Sequence, residues 1–392
     1  MITDDDTNED ILEFDDEDLL AANILPKEIL AAAAEMPLAT ARFLIDTFYT
    51  YQDERIGKAA QVREAQKAKE PTTILSHFLK AAELHEKQAG KLLTTFAGAT
   101  QAGRWACSQK GVGGVITAGL FAHIDMEEAV TPSHLISFAG LNPSQTWEKG
   151  QKRPFSVRLK TLTTFKLGEC LVKVQDREGA FYGNLFKQFK QEELIKNDSG
   201  KNSNTAWSDA DDPFKGKDGR MRRGVYGKNT DAWKWVNGCF PAGACRELAD
   251  IPNLPLPDEI MELEGKEFTA ARNKWRAELR IVTLKRLEGK PGSGQPMLPP
   301  SQVHARARRK VVKLFLQHFW EEVFVERYNQ EPPEPFVFEH MGHFHKIERP
   351  DPSKPDPSKP ALPYPRLARS RRPGYKPKVK PKKRQKEEYE YL

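Results

Sequence analysis

The chain reads as a mainly α-helical protein. A long antiparallel helical hairpin is followed by a helix-hairpin-helix core domain, with an irregular insertion and disordered tails. Three observations lead there. Apolar residues recur at helical spacing through most of residues 37–100, 155–195 and 304–323. The glycine turn Gly111-Val112-Gly113-Gly114 separates two short helices of small and apolar residues. A later helix starts densely basic at His304 and becomes amphipathic toward Trp320.

In chain order, residues 1–25 form an acidic tail: the first twenty carry ten acidic groups and no basic one. Self-repulsion and little apolar surface predict disorder there. Such a tail either solubilises the protein or imitates phosphate, covering a basic surface until nucleic acid displaces it. Residues 37–100 form the hairpin. Phe43, Leu44, Thr47, Phe48 and Tyr51 mark its first helix, Pro71 restarts the chain, and Ile74, Leu75, Phe78, Leu93 and Phe96 mark the second. Hairpins of this kind serve as spacers or dimerising arms.

Residues 101–195 form the core. A Gly-apolar-Gly turn needs glycine for positive φ and close approach. The helix after it begins with unpaired N–H groups and a partial positive charge, a site for phosphate. Lys110, Gly111, Gly113, Gly114 and Val115 would then grip nucleic-acid backbone without reading bases. The alternative is a plain glycine turn between packed helices. Thr131-Pro132-Ser133 caps a short helix ended by Gly140, and a polar loop with Trp147, Lys149, Lys152 and Arg153 follows. Phe155, Leu159, Leu162, Phe165 and Val172 form one helical stripe, with Gly168 inside it. The cations of the loop and this helix either line a groove or form a solvated face.

Residues 196–302 read as an irregular insertion, helical only from Glu259 to Leu287. Within it, Arg220, Arg222, Arg223 and Lys228 interleave with Tyr226, Trp233 and Trp235. That mixture suits single-stranded nucleic acid, or else a basic loop pinned by buried aromatics. Residues 303–330 form the basic amphipathic helix that completes the core, with Arg306, Arg308 and Arg309 in its first turns. Residues 331–392 form a Pro-rich basic tail. Asp351-Pro-Ser-Lys-Pro355 repeats at once as an extended spacer, and residues 366–386 carry eleven cations and no acid, a salt-dependent anchor for polyanions.

The net charge of +6 hides these opposed tails, and the body between them is mildly basic. Four cysteines give no disulfide framework, there is no basic-then-apolar leader, and no apolar run nears the roughly 18 residues of a membrane span. The expectation is a cytoplasmic bacterial or phage protein without membrane contact. Cys239 and Cys245 with His340, His343 and His345 lack zinc spacing. Asp209, Asp211 and Asp212 precede Phe214 and Arg220 where a calcium loop needs glycine and glutamate. Phosphate loops and serine elbows are absent from the sequence. No cofactor is expected, and Mg2+ only if a partner supplies a metal site.

The order of features resembles the C-terminal part of the IS-one-ten family of bacterial insertion-sequence transposases. It runs from the hairpin to Gly111-Val112-Gly113 with Ala118 and Leu120, then His134 through Pro143 (His-Leu-Ile-Ser-Phe-Ala-Gly-Leu-Asn-Pro). Arg158-Leu159-Lys160-Thr161-Leu162, Phe181-Tyr182 and the helix from Arg306 to Trp320 follow. The resemblance spans roughly residues 40–195 and 303–324. It implies a recombinase with a RuvC-like metal domain, a coiled coil, and a C-terminal domain bearing a nucleophilic serine, acting as an oligomer on DNA and in some members guided by a structured RNA. No strand-rich metal domain precedes the hairpin here. The family's serine sits in a Ser-Gly context where this chain has Gln145-Thr146-Trp147-Glu148-Lys149-Gly150. Ser144 is the nearest hydroxyl candidate.

The expected function is therefore DNA binding by a transposase-like mobile-element protein with impaired catalysis, oligomeric through the hairpin. The alternatives are a non-enzymatic nucleic-acid-binding derivative and an RNA-binding scaffold using residues 220–235.

Overall fold

The computed structural model describes residues 25–203 except 144, 146, 148 and 149, together with residues 231–334 and 346–364. The described residues are helical with no strand among them. In order they are α1 (Lys27–Ala34), α2 (Leu38–Ala68), α3 (Thr73–Gly98), α4 (Gln101–Ser108), α5 (Gly114–His123), α6 (Pro132–Phe138) and α7 (Val157–Thr161). A π-helical turn (Leu162–Leu167) runs into α8 (Gly168–Lys173), and α9 (Phe181–Asp198) follows. The insertion contributes α10 (Asp231–Val236), α11 (Ala244–Asp250), α12 (Asp258–Met261) and α13 (Gly265–Glu288), and α14 (Pro300–Tyr328) comes last.

Helices α2 and α3 form the expected hairpin. Lys69 ends α2 in a left-handed conformation (φ 58°), Glu86 accepts from Gln52 at 3.1 Å, and Arg55 pairs with the same carboxylate. At the base, Ala41, Ile45, Leu93 and Ala97 close on Ala118 and Ala122 of α5, small residues that let the helices approach. Toward the tip, Ile56, Ile74 and Phe78 remain exposed.

The main core surrounds α14. Its residues from His318 to Val325 are buried without a break, so this stretch is enclosed on every side rather than along one stripe. Phe315, Phe319, Trp320 and Phe324 meet Trp105 of α4, Phe121 of α5, Leu135 of α6, Leu171 of α8 and Tyr182 of α9. Polar groups carried into this core meet partners from distant segments. Trp320 Nε1 donates to Ala129 O (2.6 Å), and Arg349 reaches Glu321 (3.1 Å) and Glu322 (2.7 Å). His318 Nε2 meets Ile347 O (2.9 Å) and Nδ1 meets Tyr182 Oη (2.8 Å). A carbonyl only accepts, so Nε2 carries the proton and the tyrosine donates to Nδ1.

Three segments differ from expectation. The stripe from Phe155 does not break at Gly168, but the π turn adds a residue to the register. Burial therefore passes from Leu159 and Leu162 to Leu167 and Leu171, and Phe165, expected inside, is 56% exposed. Residues 231–302 are not irregular: Trp235 stacks on Phe240 (4.1 Å), and Cys245, Leu248, Ile251, Leu287, Met297 and Leu298 join Leu194 and Val303 in a second core. Finally, the Asp-Pro-Ser-Lys-Pro repeats are not a free spacer. Residues 346–364 lie along α14 as a strap: Asn329 bonds the backbone of Asp356 and Lys359, Leu362 N donates to Tyr328 O (2.9 Å), and Tyr364 packs on Phe324 (4.9 Å). The Leu362 N–H serves a carbonyl at the end of α14, and the strap carbonyls of Asp356 and Lys359 accept from the Asn329 side chain. Of the expected tails, residues 1–25 and 331–392, the parts 1–24, 335–345 and 365–392 lie outside the described residues.

Phe319→Ala is expected to lower stability by about 3–5 kcal/mol in urea titrations, as truncation of a fully buried ring leaves a cavity. Burial pushes the His318 imidazole below its ordinary 6.5, so the unfolded chain takes up that proton more readily than the folded one. Stability is then full above pH 6.5 and falls as pH drops below it. His318→Gln is expected to flatten that acid-side fall, while His123 and His304, also lowered by burial, retain part of it.

Candidate nucleic-acid interface

The hairpin between α4 and α5 is held from outside. Glu326 of α14 lays its carboxylate on the N–H groups of Gln101 and Ala102 (2.9 Å each), where a helix start favours negative charge. Thr100 accepts from Gly103 N (3.0 Å), and Trp105 Nε1 donates to Pro350 O of the strap (2.8 Å). The turn is thereby fixed relative to both α14 and the strap.

Within the turn, Gly111 has φ 93°, and a Cβ there would stand 2.9 Å from Cys170 O and 3.0 Å from Val174 Cγ2. Gly114 starts α5 against α3, where a Cβ would come within 2.6 Å of Thr94 Cα. Gly113 between them is exposed, with nothing within 4 Å of its missing Cβ. Gly113 is the N-cap residue of α5 and no side chain caps it, which leaves the first-turn N–H groups without a capping side chain. Val115 is half-buried, close over Gly90. Lys110 is exposed, and its Nζ donates to the Glu178 carbonyl.

The cations that flank this turn are not those the sequence singles out. Lys87 and Lys91 share one face of α3 with Gly90 and Thr94, the residues that receive Val115 and Gly114. Lys173 sits on α8 between Cys170 and Val174, which receive Gly111, and Arg177 adjoins Glu178. With Lys110 these make a cluster of exposed cations. Asp176, nearby, is paired with Lys187 (3.0 Å).

Arg306, Arg308 and Arg309 lie elsewhere. The aliphatic part of Arg308 rests 3.0 Å from the missing Cβ of Gly168, and on α8 that face is roughly 200° around from Cys170 at 100° per residue. Most of this group is engaged internally. Arg306 bonds Asn202 (3.0 Å) and pairs with Glu193 (3.5 Å), Lys310 pairs with Glu193 (2.7 Å), and Arg308 pairs with Glu169 beside Phe165. Partial burial draws the guanidinium pKa of both Arg308 and Arg309 down, the latter also through its cationic neighbours. Arg309 is exposed and, among the described residues, has no ion-pair partner. The expected gathering of these arginines beside the turn is therefore not met: Arg306 and Arg308, with Lys310, fasten α14 to α8 and α9.

Lys152 and Arg153 are exposed in a separate loop, anchored where Phe155 covers Gly140. Arg153 stands over the Trp147 ring (4.9 Å), whose Nε1 donates to Gln151 O (2.8 Å). Ser144, Lys149, Arg222 and Arg223 lie outside the described residues, as do Asp209, Asp211, Asp212, His340, His343 and His345. Trp235 is not an open stacking platform, being 2% exposed, and Lys234 is paired with Glu288 (2.7 Å). Burial pushes the Cys245 thiol up to about 12, which suits a core residue rather than a ligand. Among the described residues no group of three or more His, Cys, Asp or Glu is placed to hold a metal ion, and no helix is long and apolar enough to cross a membrane.

No protein-family model, curated protein or solved structure matches this chain.

Glu193 is 4% exposed and pairs with three cations, Lys196, Arg306 and Lys310. Glu193→Ala is expected to cost about 1–3 kcal/mol of stability in urea titrations, the range for leaving buried polar partners unsatisfied.

Proposed function

We propose that the protein binds nucleic-acid backbone, DNA in the first place, as a transposase-like protein of a mobile element whose chemistry is impaired. The single observation that carries the reading is the open, uncapped start of α5 at Gly113, flanked by Lys87, Lys91, Lys110, Lys173 and Arg177. Amides at a helix start and neighbouring ammonium groups fit a phosphodiester, and such contacts position a strand without reading its sequence. The basic segment 366–386 adds non-specific attraction. A transposase-like origin is supported by the order of motifs in the sequence. Impaired chemistry is supported by Trp147 and Glu148 standing where the resembled family has a serine, since neither offers a nucleophilic hydroxyl. Magnesium enters only through a partner that supplies its site. The exposed Ile56, Ile74 and Phe78 near the hairpin tip support self-association there, in a cytoplasmic bacterial or phage setting.

Fluorescence anisotropy with a short DNA duplex over a range of salt tests the grip. Lys110→Ala and Arg177→Ala are each expected to reduce the salt slope by about 0.9, one phosphate contact apiece. Gly113→Glu, which fills open space with like charge, is expected to weaken binding about tenfold at low salt. Slopes and affinities unchanged in all three variants would defeat the proposal. A suicide DNA substrate is expected to give no covalent adduct in the unaltered protein. An adduct lost in Ser144→Ala would restore the enzyme, and stronger competition by a structured RNA than by duplex would favour the RNA-binding reading.

A further inference from the structure

Helix α5 has cations gathered at both ends. Its start at Gly113 carries those already described, and its last residue, His123, lies roughly 15 Å away at 1.5 Å per residue. Around that far end, side chains of α2 and α7 meet. Arg42, Asp46 and Tyr49 follow one another at four and three residues on α2 and so share a face. Arg42 Nε donates to the Ala122 carbonyl, which covers the negative end of α5. Asp46 holds Arg158 of α7 (2.9 Å), and Lys166 of the π turn stands over the Tyr49 ring (4.3 Å). Lys166 follows Arg158 by eight residues, which a regular helix would set about 80° apart. The residue that the π turn adds brings the two nearly into line.

This row of cations is open to solvent and short of acid. Arg42 is exposed, its terminal nitrogens have no partner among the described residues, and the Arg158 side chain is 64% exposed. Burial, and then Arg42 and Arg158, hold the His123 imidazole below its ordinary value, with Asp46 opposing them. On its other side Arg42 borders a cavity of about 390 Å3 together with Asp125 and Glu127. Both acids are engaged: Asp125 accepts from the N–H groups of Glu127 and Glu128, and Glu127 pairs with Arg327 (2.8 Å).

We infer that Arg42, His123 and Arg158 form a second phosphate site, and that one nucleic-acid strand spans α5 from the Gly113 turn to this site past Lys166. At 3.4 Å of rise per nucleotide the span covers about four of them. The strand path rests on the proposed grip; the phosphate site does not.

NMR of the His123 ring in the full chain, titrated with inorganic phosphate, tests the site without nucleic acid. The imidazole pKa is expected to rise by about 1, because an anion beside the ring favours its charged form. In Arg158→Ala the rise is expected to vanish. A rise no larger than that in chloride of equal ionic strength, or one retained in Arg158→Ala, overturns the site. In duplex titrations Arg158→Ala is expected to weaken binding and Asp46→Asn to tighten it, each about threefold at low salt. Both side chains are exposed, and loss of their ion pair alone would move the two variants the same way. Changes in one direction, or none in either, overturn the strand path. Absence of duplex binding, or binding that Lys110→Ala and Arg177→Ala leave unaltered, fails the grip and the path with it; the phosphate response of His123 then upholds the site alone.

Discussion

Helix α14 is surrounded by protein from His318 to Val325, and the rest of the fold follows from that burial. Charged and hydrogen-bonding groups carried inward on such a helix cost several kcal/mol unless met by partners. Each partner is a distant segment drawn to a fixed place. Glu321 and Glu322 bring in Arg349 and with it the strap, Trp320 holds Ala129 before α6, and His318 holds Tyr182 of α9. One turn further on, Glu326 seats the first amides of α4. The position of the glycine turn is thus a consequence of how α14 satisfies its own polar groups.

This arrangement divides the cations into two populations. Arg306, Arg308 and Lys310 are held by Glu193 and Glu169, and their charge is largely spent on joining α14 to its neighbours. Lys87, Lys91, Lys110, Lys173 and Arg177 surround an open backbone and face solvent. A polyanion is attracted more strongly by cations without nearby carboxylates, so density of Arg and Lys along the chain is a poor guide to where a strand binds.

The hairpin, the glycine turn and the terminal helix were legible because each rests on local rules: apolar spacing, a proline restart, and glycine where φ is positive. The π turn was not, since one added residue shifts a stripe without changing composition, which is why Phe165 was misplaced. The second core was hidden because α10 and α11 are too short for periodicity to register, and their aromatics look scattered until they stack. The strap resembled a spacer because its bonds run from backbone to α14. At the candidate site, Lys110 and the glycines were visible. Lys87, Lys91, Lys173 and Arg177 join them only through packing at Gly90, Thr94, Cys170 and Glu178. The one sequence signal was the shared face of Lys87, Gly90, Lys91 and Thr94 on α3.

The most direct test of the central claim is amide-resolved NMR of the deuterated protein during titration with a short DNA duplex. The account predicts that the largest shifts fall on the amides of Gly113, Gly114 and Val115, with smaller ones at Lys110 and Arg177. Shifts centred on Arg309, or confined to residues 366–386 with the turn unmoved, would contradict it.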